Sequence, residues 1–327
     1  MQSIFKIFSD LKNEIPKNKE GFSIANLPKI KNHKIGLSKD ELPLFFIKCE
    51  EVSTEKVLDY NLESISIHFN QKCQLRDKDK KVTEGNYTII ALKTDSVDLQ
   101  EYFLNVIYFV ILKLPEISKL KELKIEVENL IILFTKFSKL PTKTIQGLWA
   151  ELLVIEQSSN PEYLVKSWHV SPSDKFDFND GIDKIEVKST TKSKRIHKFS
   201  LEQLNPNKNS KLIIASVFAI ETGKGYSIFD LVNSIDDRIK NIDLLNKINE
   251  VIIDTLGSDF EKSFEHFFDY QLASDTLAFF ESETVPKINT KLISKEVSNI
   301  HFDSDLSNAE QLKNIKSNSL LHKALME

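Results

Sequence analysis

Arginine is nearly missing from this sequence. Among 44 basic residues in a chain of 327, only Arg76, Arg195 and Arg238 are arginines, too few for a bidentate reader of phosphate or guanine. Cysteine is as thin: Cys49 and Cys73 are the only two. That excludes a disulfide scaffold and a cysteine-rich zinc site, and makes a reducing, cytoplasmic setting the expectation. With 8 glycines and 9 prolines, collagen-like and low-complexity architectures are excluded. No Walker loop occurs, and Gly223-Lys224-Gly225 reads as a turn. No pair among the 7 histidines has the spacing of a zinc site. The most apolar stretch, Tyr102 to Leu112, is shorter than the ~20 residues of a membrane span. Asp10 and Glu14 near the start argue against a secretory signal. No membrane association is expected.

The net charge of −4 supplies no global basic field, so any nucleic-acid contact must be a local patch. The length suits two domains, or one large one. Residues 1–140 read as an N-terminal α+β domain that supplies substrate or partner contacts. A first amphipathic helix carries Ile4, Phe5, Ile7, Phe8 and Leu11. Short strands follow, clearest where Ile65, Ile67 and Phe69 alternate with polar residues. Two helices are predicted over 97–113 and 119–139. Pro141 breaks the chain. Residues 141–305 then read as a helix (144–157), a β-hairpin (175–189), a helix start at Ser200–Leu204, an apolar strand (212–220), a helix near 235–256 and a strand at 277–280. Residues 306–327 are expected to be a polar C-terminal tail.

The chemistry concentrates between Lys175 and Lys188. Asn179-Asp180-Gly181 is a strong turn signal between two β-like runs. Strand side chains alternate between faces. If Phe176 and Phe178 share one face, Asp177 takes the other. If Ile185 and Val187 share a face, Glu186 and Lys188 point oppositely. A hairpin that buries its apolar groups therefore gathers Asp177, Glu186 and Lys188 on one surface. Convergent carboxylates need a cation, and hard oxygen ligands suit Mg²⁺, with Mn²⁺ as a substitute. On the preceding helix, Glu151 lies between apolar positions, where a carboxylate is costly unless it is paired or ligates a metal.

Here the sequence resembles the PD-(D/E)XK nuclease superfamily, on Asp177, Glu186-Val187-Lys188 and the earlier Glu151. More narrowly, Gly147-Leu148-Trp149-Ala150-Glu151-Leu152-Leu153, Trp168, Asp177-Phe178, Glu186-Val187-Lys188-Ser189-Thr190 and Glu202-Gln203-Leu204 resemble a group of PD-(D/E)XK proteins gathered as a domain of unknown function. The resemblance implies an α/β, restriction-endonuclease-like core, a mixed sheet flanked by helices. It implies a Mg²⁺-dependent DNA endonuclease of a restriction or phage-defence system. It implies that Asp177, Glu186 and Glu151 bind metal, that Lys188 assists the attacking water, and that Gln203 helps position the site. The motif departs from the superfamily in one respect: Phe176, not proline, precedes Asp177, and Pro172-Ser173-Asp174 offers another first carboxylate.

Several of these residues also have ordinary readings. Glu186 and Lys188 alone suit a solvated face. Ser200 and Gln203 have capping-box spacing. Trp149 and Trp168 suit a core. Lys192, Lys194, Arg195 and Lys198 either grip a DNA backbone or form a solvated loop. Ser189 and Thr190 suit phosphate contacts or a plain strand end. The competing function is an inactive nuclease-fold subunit that binds DNA or assembles with a methyltransferase or ATPase. A homodimer is compatible with either.

Overall fold

The computed structural model describes residues 3–14, 22–50, 57–62, 64–76, 82–138, 140–169, 174–206, 209–294, 296–313 and 319–325. The alternative carboxylate's neighbours Pro172 and Ser173 lie outside these residues. The chain divides into two compact units, Met1–Lys136 and Phe137–Glu327.

In the first unit, helix α1 (Ile4–Glu14) buries Ile4, Phe8 and Leu11, the i, i+4, i+7 stripe of an amphipathic helix. Six strands follow: β1 (Phe22–Asn26), β2 (Lys34–Leu37), β3 (Pro43–Lys48), β4 (Tyr60–Asn61), β5 (Ile65–Arg76) and β6 (Val82–Leu92). They pair in the order β1-β2-β3-β6-β5-β4. The end of β5 also pairs in parallel with β1, Phe22 facing Leu75, which closes five of the strands into a ring. To reach β1, β5 bends where its register with β6 shifts between His68 and Gln71. Asn70 takes a φ of 50° there, and such a bulge adds local bend and twist. Ile65, Ile67 and Phe69 are buried as their alternation predicts, yet Ser66 is buried too. The start of β5 is thus covered on both faces.

Helices α2 (Val97–Ile111) and α3 (Leu120–Thr135) complete the unit. Ser96 caps α2 by accepting from the Leu99 amide. The most apolar stretch of the sequence is this core helix, with Leu104, Ile107 and Ile111 fully buried. No helix among the described residues is long and apolar enough to cross a membrane.

The second unit opens with α4 (Ile145–Gln157), α5 (Pro161–Ser167), β7 (Phe178–Asn179), β8 (Lys184–Thr190), β9 (Ile196–Ser200) and β10 (Leu212–Phe218). It continues through β11 (Glu221–Thr222), α6 (Ile228–Asp236), α7 (Ile242–Leu256), β12 (Phe267–Phe268), α8 (Tyr270–Thr276), β13 (Ala278–Glu281), β14 (His301–Asp305) and α9 (Leu320–Lys323). The main sheet runs β13-β10-β8-β7. It is mixed: β8 and β10 are parallel, and the outer pairs are antiparallel. Strand β10 is buried through Val217, as an unbroken apolar run predicts for a central strand. Helix α4 packs on β8 and α6.

Four expectations are corrected. The helix near 235–256 starts later, at Ile242: α6 ends at Asp236, and Asn241 accepts from the Asp243 amide to start α7. No helix forms at Ser200–Leu204, where residues 201–204 make a turn after β9. The basic run after β8 leads into a strand, since β9 pairs with β14 across about a hundred residues. The polar tail expected over 306–327 is in part docked among its described residues. Leu306, Leu321, Ala324 and Leu325 are buried, and His322 Nε2 lies 3.1 Å from the Lys184 carbonyl. Leu321→Ala should therefore destabilise the second unit by about 2–4 kcal/mol. Denaturant unfolding measures this, and an unshifted midpoint would contradict the docked tail.

Candidate functional site

Thr144 caps α4 by accepting from the Gly147 amide at 3.1 Å. The helix is buried from Leu148 to Ile155, so Glu151 enters the interior with its apolar neighbours, 3% exposed. A carboxylate there must find donors, and Glu151 finds three. Its Oε1 meets Lys143 Nζ at 2.5 Å. Its Oε2 accepts from Trp168 Nε1 at 2.7 Å and lies 3.2 Å from His169 Nε2.

Two contacts bring Trp168 and His169 there. Trp168 bridges to Phe178, and the His169 amide donates to the Asp177 carbonyl at 2.9 Å. Asp177 lies beside β8. Its Oδ2 accepts from the Val187 amide at 2.7 Å, and its Oδ1 pairs with Lys143. A single ammonium thus joins Glu151 and Asp177.

On β7 and β8, Phe178 faces Ile185; one further step in that register sets Asp177 opposite Glu186. Phe178 and Ile185 are fully buried, as the alternation predicts. Glu186 is 3% exposed, and its Oε1 meets Lys188 Nζ at 2.7 Å. Gln203 Nε2 donates to the same oxygen. Gln203 Oε1 accepts from Lys188 Nζ at 3.2 Å and from the Ser200 amide at 3.0 Å. Ser200 Oγ in turn accepts from the Gln203 amide at 3.2 Å. Ser200 and Gln203 exchange the hydrogen bonds of a capping box although no helix follows, and the exchange aims the Gln203 amide at Glu186. The second carboxylate oxygen, Glu186 Oε2, is buried with no hydrogen-bond partner among the described residues.

The charges of the cluster interact. Burial, then Asp177, pushes the Glu186 carboxyl up, against the pull of Lys188. Burial, then Glu151, raises Asp177 as well, against Lys143. Burial acts on Glu151 in the same sense, but its bonds to His169 and Lys143 outweigh it and hold the group low. Burial lowers Lys143 less than Asp177 and Glu151 raise it, so it stays an ammonium.

The donor set fits a divalent cation. Glu151, His169 and Asp177 each offer a ligand atom within 4.8 Å of the others. Two carboxylates and an imidazole suit Mg²⁺ less exclusively than carboxylates alone, and also Mn²⁺. Glu186 Oε2 is a buried polar atom for which the described residues supply no donor. Sequence reasoning missed Lys143 and His169, and read Trp168 as core packing only. A cleft of about 610 Å³ shares Trp168 and His169 with the cluster, and Lys166, Lys175, Lys184 and Lys247 also line it.

The residues expected to meet DNA divide. Lys192, Lys194 and Lys198 are exposed. Ser189 Oγ accepts from Gln146 Nε2 at 3.0 Å, and Thr190 is buried. Arg195 leaves the set. It is buried, donates to the Ser216 carbonyl at 2.9 Å, to Ser216 Oγ at 2.7 Å and to the Thr276 carbonyl, and its guanidinium stacks on Phe218. Asp174 is exposed, and Asp177, not Asp174, reaches Lys143 and the Val187 amide.

His197 Nε2 lies 2.7 Å from Ser216 Oγ, behind the site. Burial, then Lys188 and Arg195, lowers this imidazole to about 4 from 6.5. Stability that depends on its neutral form is complete above pH 6.5 and is lost as the pH falls toward about 4. His197→Gln should remove roughly 1–3 kcal/mol of acid destabilisation. Denaturant melts at stepped pH test this; identical pH slopes for both proteins would refute it.

No curated protein and no solved structure matches the sequence. A family model described as "Putative PD-(D/E)XK family member (DUF4420)" matches residues 9–307, and the chain belongs to that family.

Proposed function

We propose that the chain is a Mg²⁺-dependent DNA endonuclease of a restriction or phage-defence system, built on a restriction-endonuclease-like core in its second unit. One observation carries this reading: Asp177, Glu186 and Lys188 are gathered with Glu151 into one buried, charged cluster. The family's PD-(D/E)XK description supports a nuclease reading, and nucleases of that superfamily generally use divalent metals.

Glu151, Asp177 and Glu186 would hold the ion, with His169 as a further donor. A bound Mg²⁺ or Mn²⁺ polarises the scissile phosphate and acidifies a water. An ammonium has three donors. Lys188 spends two, on Glu186 and Gln203, and keeps one for a water or a phosphate oxygen. Gln203 fixes both side chains at once, which preorganises the ammonium beside the carboxylate. The exposed lysines 192, 194 and 198 supply backbone contacts whose strength falls with salt.

A second reading has its own support. Lys143 satisfies Glu151 and Asp177 without an ion, as an inactive nuclease-fold subunit working with a methyltransferase or ATPase would allow. Plasmid and linear DNA, incubated with the full chain and Mg²⁺ or Mn²⁺, separate the two. Cleavage is expected, and Asp177→Asn and Lys188→Ala should each slow it by at least about a hundredfold. Equal cleavage by these variants would overturn the assignment; no cleavage by the unaltered protein favours the inactive subunit.

A further inference from the structure

We propose that Lys143 is a resident counter-cation that a divalent ion must displace, so that metal uptake is an exchange of ammonium for metal. The inference rests on the reading of the cluster as a metal site. Lys143 Nζ sits between Glu151 Oε1 and Asp177 Oδ1, two of the oxygens that such an ion would take. Those carboxylates are 3% and 9% exposed, whereas the Lys143 side chain is 29% exposed. The acids are fixed, and the lysine has a way out.

Its backbone is held on both sides. The Thr142 amide donates to the Thr255 carbonyl at 2.9 Å, and Thr144 caps α4. Exchange therefore needs only the side chain to swing.

Formal charge supports the exchange. Glu151, Asp177 and Glu186 are three buried carboxylates, and they face two ammonium groups, Lys143 and Lys188. Were all three ionised, the cluster would be one positive charge short. A divalent ion in place of the Lys143 ammonium supplies the missing charge. Glu186 Oε2 is buried with no hydrogen-bond partner among the described residues, a second observation that a cation would answer. While Lys143 is in place, Glu151 and Asp177 stay apart and aligned despite their repulsion.

Mn²⁺ titrated by calorimetry into the full chain and into Lys143→Met tests the exchange. The unaltered protein must break two part-buried ion pairs to bind, and the variant none, so Lys143→Met should bind Mn²⁺ about tenfold more tightly or better. Thermal melts give a second readout. Without metal, Lys143→Met should melt lower than the unaltered protein; at saturating Mn²⁺ the gap should close, because Lys143 no longer contributes. A merely structural lysine would keep the gap and weaken binding. Should the variant fail to fold alone, Mn²⁺ should restore folding at concentrations that saturate the unaltered chain. Equal or weaker binding by Lys143→Met, or a gap that persists, overturns the exchange and leaves the metal site standing. Absence of binding in both proteins overturns the metal site itself, and the exchange with it.

Discussion

Three carboxylates share a nearly water-free space in the second unit, and that constraint organises everything around them. An unpaired charge in such a place costs several kcal/mol, whereas a fully bonded one is tolerated. Each acid is therefore met by donors that the fold brings to it, and Glu151 and Asp177 share one, Lys143. Glu151 takes an indole N–H, an imidazole and an ammonium; Asp177 takes a main-chain amide of the neighbouring strand; Glu186 takes Lys188 and Gln203. The helix, the hairpin and the turn after β9 are held in register by these bonds as much as by their apolar faces.

Strand β8 is where the two kinds of stabilisation meet. Ile185 points into the core, while Glu186 and Lys188 point into the cluster. The Val187 amide reaches sideways to Asp177. Behind the strand, Ser216 on the parallel neighbour β10 engages Arg195 and His197. Arginine is scarce here, and one of the three is committed to holding strands together.

The parts of this arrangement set by short-range periodicity were legible in the sequence. The facing of Asp177, Glu186 and Lys188 follows from the alternation of Phe176, Phe178, Ile185 and Val187. The cost of Glu151 follows from its apolar flanks on a helix. The Ser200–Gln203 spacing was legible as a capping box, and its reciprocal hydrogen bonds form although no helix follows. What periodicity cannot convey is the path of the chain between elements. Lys143 has a long, flexible stem whose partner depends on where the helix start meets the hairpin. Trp168 and His169 join the site through main-chain contacts to 177 and 178. The pairing of β9 with β14 and the packing of α9 on β8 join residues more than a hundred positions apart, beyond any local pattern. The split between α6 and α7 carries no glycine or proline to announce it.

Gln203 has a property that follows from its contacts alone. Its amide is read by polarity at each end: the nitrogen faces a carboxylate, and the oxygen faces an ammonium and a main-chain N–H. Rotating the group by half a turn would set like against like on both sides. An acid of identical shape would place oxygen against oxygen beside Glu186, and a basic side chain would repel Lys188. Among the natural side chains of that length, only a neutral amide satisfies both neighbours, so this position selects its occupant by dipole direction and not by volume.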